Sequence, residues 1–600
     1  MRRFLFPMAA LLTLGSLSCG GSKDNTTPTP TAPTPAPTPV LTTIRVTLVD
    51  SVLVVGKTTQ ATAATLDQFG AAMPGKVVTW RSTDSTIASV QQTGIVLALK
   101  DGAVSIQATA DTKQGSANLR ALSVFTADRI LKILRTDSPV YGFMSRYQLG
   151  DLNGDGLADV LWGGWFTDSQ RCAAVGSCAG AQPANPKVPL VAILQNSSGE
   201  WTDASAQLFG GDLSASWNRA HIGDFNRDGK PDVFFSAFYD IPVVKRPSSY
   251  FLGAGNSVGI LRSDIGGDVW AHGSAKFDFN GDGCEDILMA DMKLYSGTCT
   301  GTFSEQRLPW IQNSCAGTCT IVPIQNVPGV SVYLQLGGID VCVGDLDGDS
   351  KPELLITDAQ PALSGPGWVP QPQYDLVAVK VDWSAMPWRP IAAYALPTPL
   401  FDKGNSTTAP RSHDMHCIIS DLNNDGRKDV LINSTYNPPA GESWAEKNHL
   451  QVYLNKGAFL FDDISPRAFP GKTTEGSPTN SFVLQDLNDD GNDDLFIASA
   501  AFTSANPNYV WLGNGDGTFR PFNGVEFTTL IASARTTIAK AGLLPANIPA
   551  SGLFSLGIIP LRRKNGSYDF IVPMELKGYV GCQCVSTLYL TLAAPGFRFR

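Results

Sequence analysis

The chain has 600 residues, of which 43% are hydrophobic and 16% are charged, a balance that excludes a largely disordered protein. Its formal net charge of −9 argues against nucleic acid as a main partner, because phosphate binding needs clustered lysine and arginine. The 58 glycines and 40 prolines favour many short strands joined by turns.

Residues 1–18 predict an export signal. Arg2 and Arg3 precede an apolar stretch, 4–17, that is too short to span a bilayer comfortably. Small residues then lead to Cys19, and the segment resembles a bacterial lipoprotein signal, although the residues just before the cysteine depart from the usual order. The resemblance implies a lipid anchor at Cys19 as the only membrane attachment, and a place at the cell surface or outer membrane. A plain secretory signal, and hence a secreted protein, is the alternative.

Residues 19–40 predict a linker, because threonine and proline alternate there and favour an extended polyproline II conformation. Residues 41–125 contain short alternating segments separated by turn residues, which predict a small β-sandwich. Trp80, Thr93-Gly94 and Gly102 stand in a pattern that resembles the bacterial Ig-like group 2 domain. That resemblance implies a spacer or adhesion module without chemistry of its own.

The chain has eleven cysteines, so ten remain when Cys19 is set aside, and an even number in an exported chain predicts disulfides. The connectivity stays open. The local pairs that the spacing suggests are Cys172–Cys178, Cys284–Cys299 and Cys315–Cys319.

From residue 126 onwards the chain is repetitive. An acidic segment, each copy followed by an apolar β-run, begins at Asp151, Asp224, Asp278, Asp345, Asp421 and Asp486, and a degenerate copy begins at Leu561. These copies resemble FG-GAP/VCBS repeats, the blades of integrin-α-type propellers. The predicted fold is therefore all-β: a small Ig-like β-sandwich followed by a seven-bladed β-propeller over 126–600. We expect the C-terminal strand to complete its own blade, without help from the segment before Asp151.

The repeated segment has the pattern D-x-[DN]-x-D-[GS]-x-x-[DE], which predicts about six Ca²⁺ ions. Calcium takes six to eight oxygen ligands, and alternate side chains of a tight loop can converge on one ion. A metal-free turn held by aspartate and asparagine side chains is the alternative for any single loop. The predicted ligands are Asp151, Asn153, Asp155, Asp159; Asp224, Asn226, Asp228, Asp232; Asp278, Asn280, Asp282, Asp286; Asp345, Asp347, Asp349, Glu353; Asp421, Asn423, Asp425, Asp429; and Asp486, Asn488, Asp490, Asp494.

The propeller resemblance implies that partners bind on the face opposite the calcium loops, where the chain enters each innermost strand. The candidate ligand-binding residues there are Trp217, Arg219, His221, Trp270, His272, Arg411, His413, Asp414 and His416. They form either a pocket for a sugar or peptide, or a set of side chains that fills the channel. A transition-metal site built from His221, His272 and His416 is a third interpretation.

The sequence contains no GxSxG, HExxH or P-loop motif and so no convincing catalytic constellation. The predicted function is a calcium-stabilised binding or adhesion protein that recognises an extracellular glycan or protein through the propeller. The alternative is an extracellular polysaccharide- or lipid-degrading enzyme on the same scaffold, with Asp414 as the first candidate for an acid or base.

Overall fold

The described residues form an all-β structure of many small sheets with few helices, as the sequence predicts. The computed structural model describes residues 37–100, 102–122, 127, 129–136, 142–167, 190–210, 217, 219–237, 247–265, 273–290, 293–307, 321–323, 325–326, 331–333, 340–357, 376–384, 388–397, 412–436, 448–470, 482–497, 510–522, 525–544, 552–555, 557–580 and 583–599. Two compact units divide between Leu122 and Ser123.

The first unit consists of two four-stranded sheets. Its strands are β1 (Leu41–Leu48), β2 (Val52–Val54), β3 (Thr58–Asp67), β4 (Thr79–Ser82), β5 (Ala88–Val90), β6 (Ile95–Ala98), β7 (Gly102–Ala110) and β8 (Lys113–Leu122). The sheet orders are β1-β3-β6-β5 and β2-β8-β7-β4. Alternate residues of β7 are buried, and they pack with Trp80 and with residues of the other sheet in one core. This is the β-sandwich that the alternating pattern predicts.

The second unit contains six four-stranded antiparallel sheets, each formed by four strands that are consecutive in the chain. We number these sheets one to six. Their strands are β10 (Gly142–Gly150), β11 (Asp159–Thr167), β12 (Val191–Gln195), β13 (Trp201–Asp203); β14 (Arg219–Gly223), β15 (Asp232–Ser236), β16 (Ser248–Leu252), β17 (Ile260–Ile265); β18 (Ser274–Phe277), β19 (Asp286–Met289), β20 (Lys293–Gly297), β21 (Phe303–Arg307); β24 (Val341–Gly344), β25 (Glu353–Thr357), β26 (Leu376–Asp382), β27 (Arg389–Ala395); β28 (Ser412–Ser420), β29 (Asp429–Tyr436), β30 (Asn448–Asn455), β31 (Phe461–Asp463); and β32 (Phe482–Gln485), β33 (Asp494–Ile497), β34 (Val510–Gly513), β35 (Phe519–Pro521).

The last sheet joins residues from both ends of the unit. It contains β9 (Arg129–Thr136), β36 (Leu553–Ser555), β37 (Ile559–Arg562), β38 (Tyr568–Val580) and β39 (Gln583–Phe597), in the order β36-β38-β39-β9, with β37 also on β38. The expectation that the C-terminal strand completes its own blade is therefore wrong. Residues 583–597 form one continuous strand where the repeat predicts a strand, a turn and another strand, so β9 supplies the outer strand. That pairing covers an edge that would otherwise leave backbone donors and acceptors unpaired.

In the described part of the chain, three helices and one small hairpin interrupt the strands. The helices are α1 (Ser205–Phe209), α2 (Ser465–Ala468) and α3 (Val525–Lys540), and the hairpin pairs β22 (Ile321–Pro323) with β23 (Ser331–Tyr333). The sequence analysis did not predict α3, which buries Phe527, Leu530, Ala534 and Ile538 on one face, at helical spacing. None of the helices in the described part of the chain is long and apolar enough to cross a membrane.

Buried side chains connect each sheet of the second unit to the next. Shared apolar clusters join sheets one and two, sheets two, three and four, sheets four and five, and sheets five and six. The Nε2 of Gln485 in sheet six donates to the Oη of Tyr568 in the last sheet at 3.1 Å. The last sheet in turn shares a cluster with sheet one, and the Nε1 of Trp201 donates to Asp569 Oδ2 at 2.7 Å. Contacts therefore run from sheet to sheet and return to the first.

Two disulfides lie in the described residues. Cys284–Cys299, one of the pairs that the spacing suggests, lies within sheet three. Cys342–Cys417 joins β24 to β28, and therefore sheet four to sheet five, over a sequence separation of 75 residues. Sequence spacing did not suggest it because the partners are distant along the chain. The pairs Cys172–Cys178 and Cys315–Cys319 fall outside the described residues.

Candidate metal centres

The six acidic segments form six loops of the same design. Each connects the first strand of a sheet to the second, and its ninth residue is the first residue of that second strand. In every loop the N–H of the sixth residue donates to the carboxylate of the first residue, at 2.7–2.9 Å. The N–H of the fifth residue donates to the first and third side chains. The repeated pattern therefore brings the first, third and fifth side chains of each loop together around a tight turn.

The sixth position shows why the pattern needs glycine there. The backbone is left-handed in all six loops, with φ between 65° at Ser350 and 87° at Gly491. Ser350 is the exception that the sequence analysis noted. A left-handed conformation costs a side-chain-bearing residue about 1–2 kcal/mol, and the fourth loop adopts it nonetheless.

The acids at the ninth position are fully buried, and they tie each loop to its sheet. Asp159 accepts the N–H of Leu152 at 2.9 Å and the N–H of Gln195, in the third strand, at 2.9 Å. The same two bonds recur at Asp232, Asp286, Asp429 and Asp494. The sequence analysis assigned these acids only as metal ligands and missed their structural role as acceptors of backbone N–H groups.

Burial also raises the pKa of the ninth-position acids. It reaches about 7 at Asp159, Asp286 and Glu353, and about 6 at Asp232, Asp429 and Asp494. Neighbouring carboxylates of the same loops add to the effect, while backbone hydrogen bonds oppose it. A cation in the loop would favour the charged form of these groups.

The fourth loop supplies a direct test of whether the donor set fits calcium. The Oε1 atom of Glu353 is buried without a hydrogen-bond partner among the residues that the structure describes. Carboxylate oxygens of Asp345, Asp347 and Glu353 all lie within 4.8 Å of one another. Oxygens that share one Ca²⁺ at 2.3–2.6 Å lie within about that distance of each other. The donors are all hard oxygens, so the set fits calcium and carries no nitrogen or sulfur for zinc.

The degenerate seventh copy is built differently. Its remaining acid, Asp569, is fully buried and accepts a hydrogen bond from the Nε of Arg563 at 2.6 Å as well as the Trp201 bond. A guanidinium of the protein itself therefore supplies positive charge where the other copies present further acids.

A second polar cluster, which we call the Asp340 cluster, consists of Arg219, Asp340 and His416. Asp340 is fully buried; its Oδ2 accepts from Arg219 Nη2 at 2.8 Å and lies 3.3 Å from His416 Nδ1. Arg219 begins the first strand of sheet two, and His416 lies on the first strand of sheet five. Asp340 directly precedes the first strand of sheet four. Burial alone would raise the pKa of Asp340, but Arg219 and His416 outweigh it and hold that pKa below its usual value.

His221 lies beside this cluster on the first strand of sheet two. Its Nε2 is 2.7 Å from the hydroxyl oxygen of Ser274, which begins the first strand of sheet three. Burial, and then the charges of Arg219 and Lys276, lower the pKa of His221 to about 3. His221 and His416 thus have different polar partners, Ser274 and Asp340, and the described residues bring no shared transition-metal site around them.

The other predicted ligand-binding residues are distributed as follows. Trp217 is 1% exposed and packs against Phe235, so its ring lies in the core and not on a binding surface. His413 and Asp414 lie on β28. Trp270, His272, Arg411 and the predicted lipid anchor Cys19 fall outside the described residues.

The sequence analysis missed Asp340, although it directly precedes an apolar strand, where a lone carboxylate is unusual. Asp340, Cys342 and Cys417 also lie close enough together to suggest a metal site. The two cysteines are joined in a disulfide, however, and therefore offer no thiolate to a metal.

Comparison with known families identifies two kinds of module. The profile of the FG-GAP-like repeat matches residues 151–235 and 421–497, and that of the bacterial Ig-like domain (group 2) matches residues 40–120. No curated protein matches the chain.

Among solved structures, a quinonprotein alcohol dehydrogenase-like protein from Bacteroides thetaiotaomicron is 9% identical, with 71% of this chain and 96% of that chain covered and a TM-score of 0.28. Domains 5–6 of the S-layer protein SbsC are 15% identical, with 38% of this chain and 100% of that chain covered and a TM-score of 0.13. Similarities this weak support no inference. The family profiles show that the chain contains a bacterial Ig-like domain followed by FG-GAP-like repeats.

Proposed function

We propose that this chain is a calcium-stabilised, extracellular binding protein, and that its second unit is a closed seven-bladed β-propeller. Seven sheets in contact from the first to the last, and back to the first, support closure. The pairing of β9 with β39 supports it further, since it fastens the two ends of the unit into one blade.

The observation that carries the calcium proposal is the shared architecture of the six loops, together with the unpartnered Oε1 of Glu353. A buried carboxylate oxygen without a partner costs free energy unless a cation binds it. Three or four carboxylates in each loop also repel one another, and a divalent ion would relieve that repulsion. Calcium would supply charge and a common ligation centre, while the chain's own residues set the loop geometry.

Binding is proposed on the side of the unit where the first strands of the sheets begin. The strand β14 begins at Arg219 and leads to the calcium loop at Asp224, so the Asp340 cluster and the loops lie at opposite ends of the first strands. Arg219 keeps 26% of its side chain exposed while it bonds to Asp340. A rigid, partly exposed guanidinium suits the hydroxyls of a glycan or the carboxylates of a protein.

A binding array of glycans and extracellular-matrix proteins, run with calcium and with chelator, tests this function. We expect calcium-dependent binding that Arg219→Ala weakens at least about tenfold. Arg389→Ala is the matched control, because Arg389 is exposed and pairs only with Asp382 among the described residues. Binding that survives Arg219→Ala in a folded chain would place the partner surface elsewhere.

The proposed location is the cell surface, through a lipid anchor at Cys19. Cys19→Ala should move the protein from the membrane fraction to the soluble fraction, because an acylated amino terminus is the only attachment proposed. Unchanged fractionation of the variant would contradict the anchor.

A further inference from the structure

The fourth loop departs from the other five in its charge. In loops one, two, three, five and six the predicted ligands are three aspartates and one asparagine. In the fourth loop the third position is Asp347, so all four ligands are acids. The predicted ligands of the fourth loop thus carry one more negative charge than those of each other loop.

Lys380 on β26 meets this additional charge. Its Nζ pairs with Asp347 Oδ2 and lies 2.7 Å from Asp349 Oδ2, so the ammonium bridges the third and fifth positions of the loop. In the other five loops the asparagine Nδ2 donates to the Oδ2 of the fifth-position aspartate, at 2.9–3.2 Å. Lys380 therefore makes the bridge that the asparagine amide makes elsewhere.

The bridge leaves the second oxygen of Asp347 and of Asp349 free of contact with Lys380. Lys380 contacts the Oδ2 atoms, whereas Asp347 Oδ1 accepts the N–H of Asp349 at 3.1 Å and Glu353 Oε1 has no partner in the described structure. When only the predicted ligands and Lys380 are counted, the fourth loop carries the same formal charge as the ligands of each other loop, since four acids and one lysine sum to the same charge as three acids. The ammonium thus compensates for Asp347 without displacing the predicted ligands.

We infer that Lys380 is a built-in counterion of the fourth loop, and that it sets calcium affinity there by cancelling the charge of Asp347. The inference rests on the proposed calcium function. It makes Lys380 a positioning and affinity-setting residue, not a ligand.

The two side chains should therefore compensate for each other. Lys380→Met leaves four uncompensated carboxylates, and we expect calcium affinity at the fourth loop to rise about tenfold. Asp347→Asn leaves the lysine in excess, and affinity should fall about tenfold. The double variant restores both the charge and the amide of the other loops, so its affinity should return to within about threefold of the original.

Terbium luminescence sensitised by Trp383 can read the fourth loop in the full chain, together with the third loop, because Trp383 also packs against Phe279 of that loop with ring centroids 5.0 Å apart. The indole Nε1 of Trp383 donates to the carbonyl oxygen of Pro352, next to Glu353, at 2.8 Å, so Trp383 lies close enough to sensitise terbium there. Displacement of terbium by calcium gives the affinity, and Trp383→Phe gives the signal from the other loops. Lys276→Met is the matched control, because Lys276 pairs at 2.5 Å with Glu285, the eighth residue of the third loop, which is not a predicted ligand.

The outcomes separate this inference from the proposed function. An unchanged or reduced calcium affinity in Lys380→Met overturns the counterion role. A double variant whose affinity does not return towards the original value overturns it as well. If neither the original chain nor any variant gives a Trp383-dependent signal while calcium still binds at other loops, the counterion role is also overturned. A chain that binds no calcium at any loop would instead refute the proposed function. Melting in excess calcium establishes that each variant is folded.

Discussion

At the scale of the residue, buried acids decide most of the chemistry of this protein. Asp340 has no exposed surface and depends on Arg219, His416 and two backbone N–H groups for its charge. Removal of one partner from a buried ion pair is costly because it leaves the other charge uncompensated. The Asp340 cluster is therefore a stability element as well as a neighbour of the proposed binding surface.

Asp340→Asn should lower the free energy of unfolding by about 2–4 kcal/mol. The matched control is Asp382→Asn, whose partner Arg389 has a 73% exposed side chain, and this substitution should have a much smaller effect because an exposed ion pair contributes little. Urea denaturation in excess calcium measures both. Equal effects of the two variants would show that the Asp340 cluster does not stabilise the fold.

His221 should make stability depend on pH. Its pKa falls from an ordinary value of 6.5 to about 3, because burial and the charges of Arg219 and Lys276 disfavour the imidazolium, against a smaller opposing effect of Asp340. The unfolded chain therefore binds more protons between these values, so the stability is present above pH 6.5 and is lost as the pH falls below it.

Between pH 7.5 and pH 5, the chain should lose about 1–2 kcal/mol more stability than His221→Asn does. The comparison removes the contribution of the calcium loops, whose acids are the same in both chains. Parallel pH profiles for the two chains would contradict the buried, neutral state of His221.

At the scale of the element, the pairing of β9 with β39 matters most. The sequence indicated the repeats, the position of every loop and the strand that follows each one, because a calcium pattern and an apolar run are local signals. It did not indicate the pairing of β9, because no local sequence pattern in residues 129–136 or 586–592 identifies the other segment as its partner. The same holds for Asp340, which is 121 residues from Arg219 and becomes its partner only through the fold.

Replacement of residues 129–136 by an eight-residue Gly/Ser segment should lower the melting temperature of the second unit by several degrees. The reason is that β39 loses its outer partner, and with it a ladder of backbone hydrogen bonds and the pairing of its edge. The same replacement at residues 28–35, in the Thr/Pro linker, is the control. Calorimetry distinguishes them, and identical melting would mean that β9 is dispensable.

At the scale of the whole molecule, an Ig-like domain precedes a unit of FG-GAP-like repeats, and the export signal, the linker, calcium and the partner are predictions or proposals. The two modules follow from local patterns that family profiles also match. The partner does not follow from sequence, because the candidate residues come from different sheets and Trp217, a predicted ligand-binding residue, packs in the core. The proposed calcium ions would stabilise the repeat unit, since six loops of one design connect the first and second strands of six sheets.

The calcium content of the purified chain tests the central claim most directly. Elemental analysis after dialysis against low-calcium buffer, paired with melting before and after chelation, gives the stoichiometry and its effect on stability together. We predict about six calcium ions per chain. We also predict that the melting temperature falls by many degrees on chelation and recovers when calcium returns, because ions bound only to the folded state stabilise it by mass action. One ion or none per chain, with melting unchanged by chelator, would contradict it.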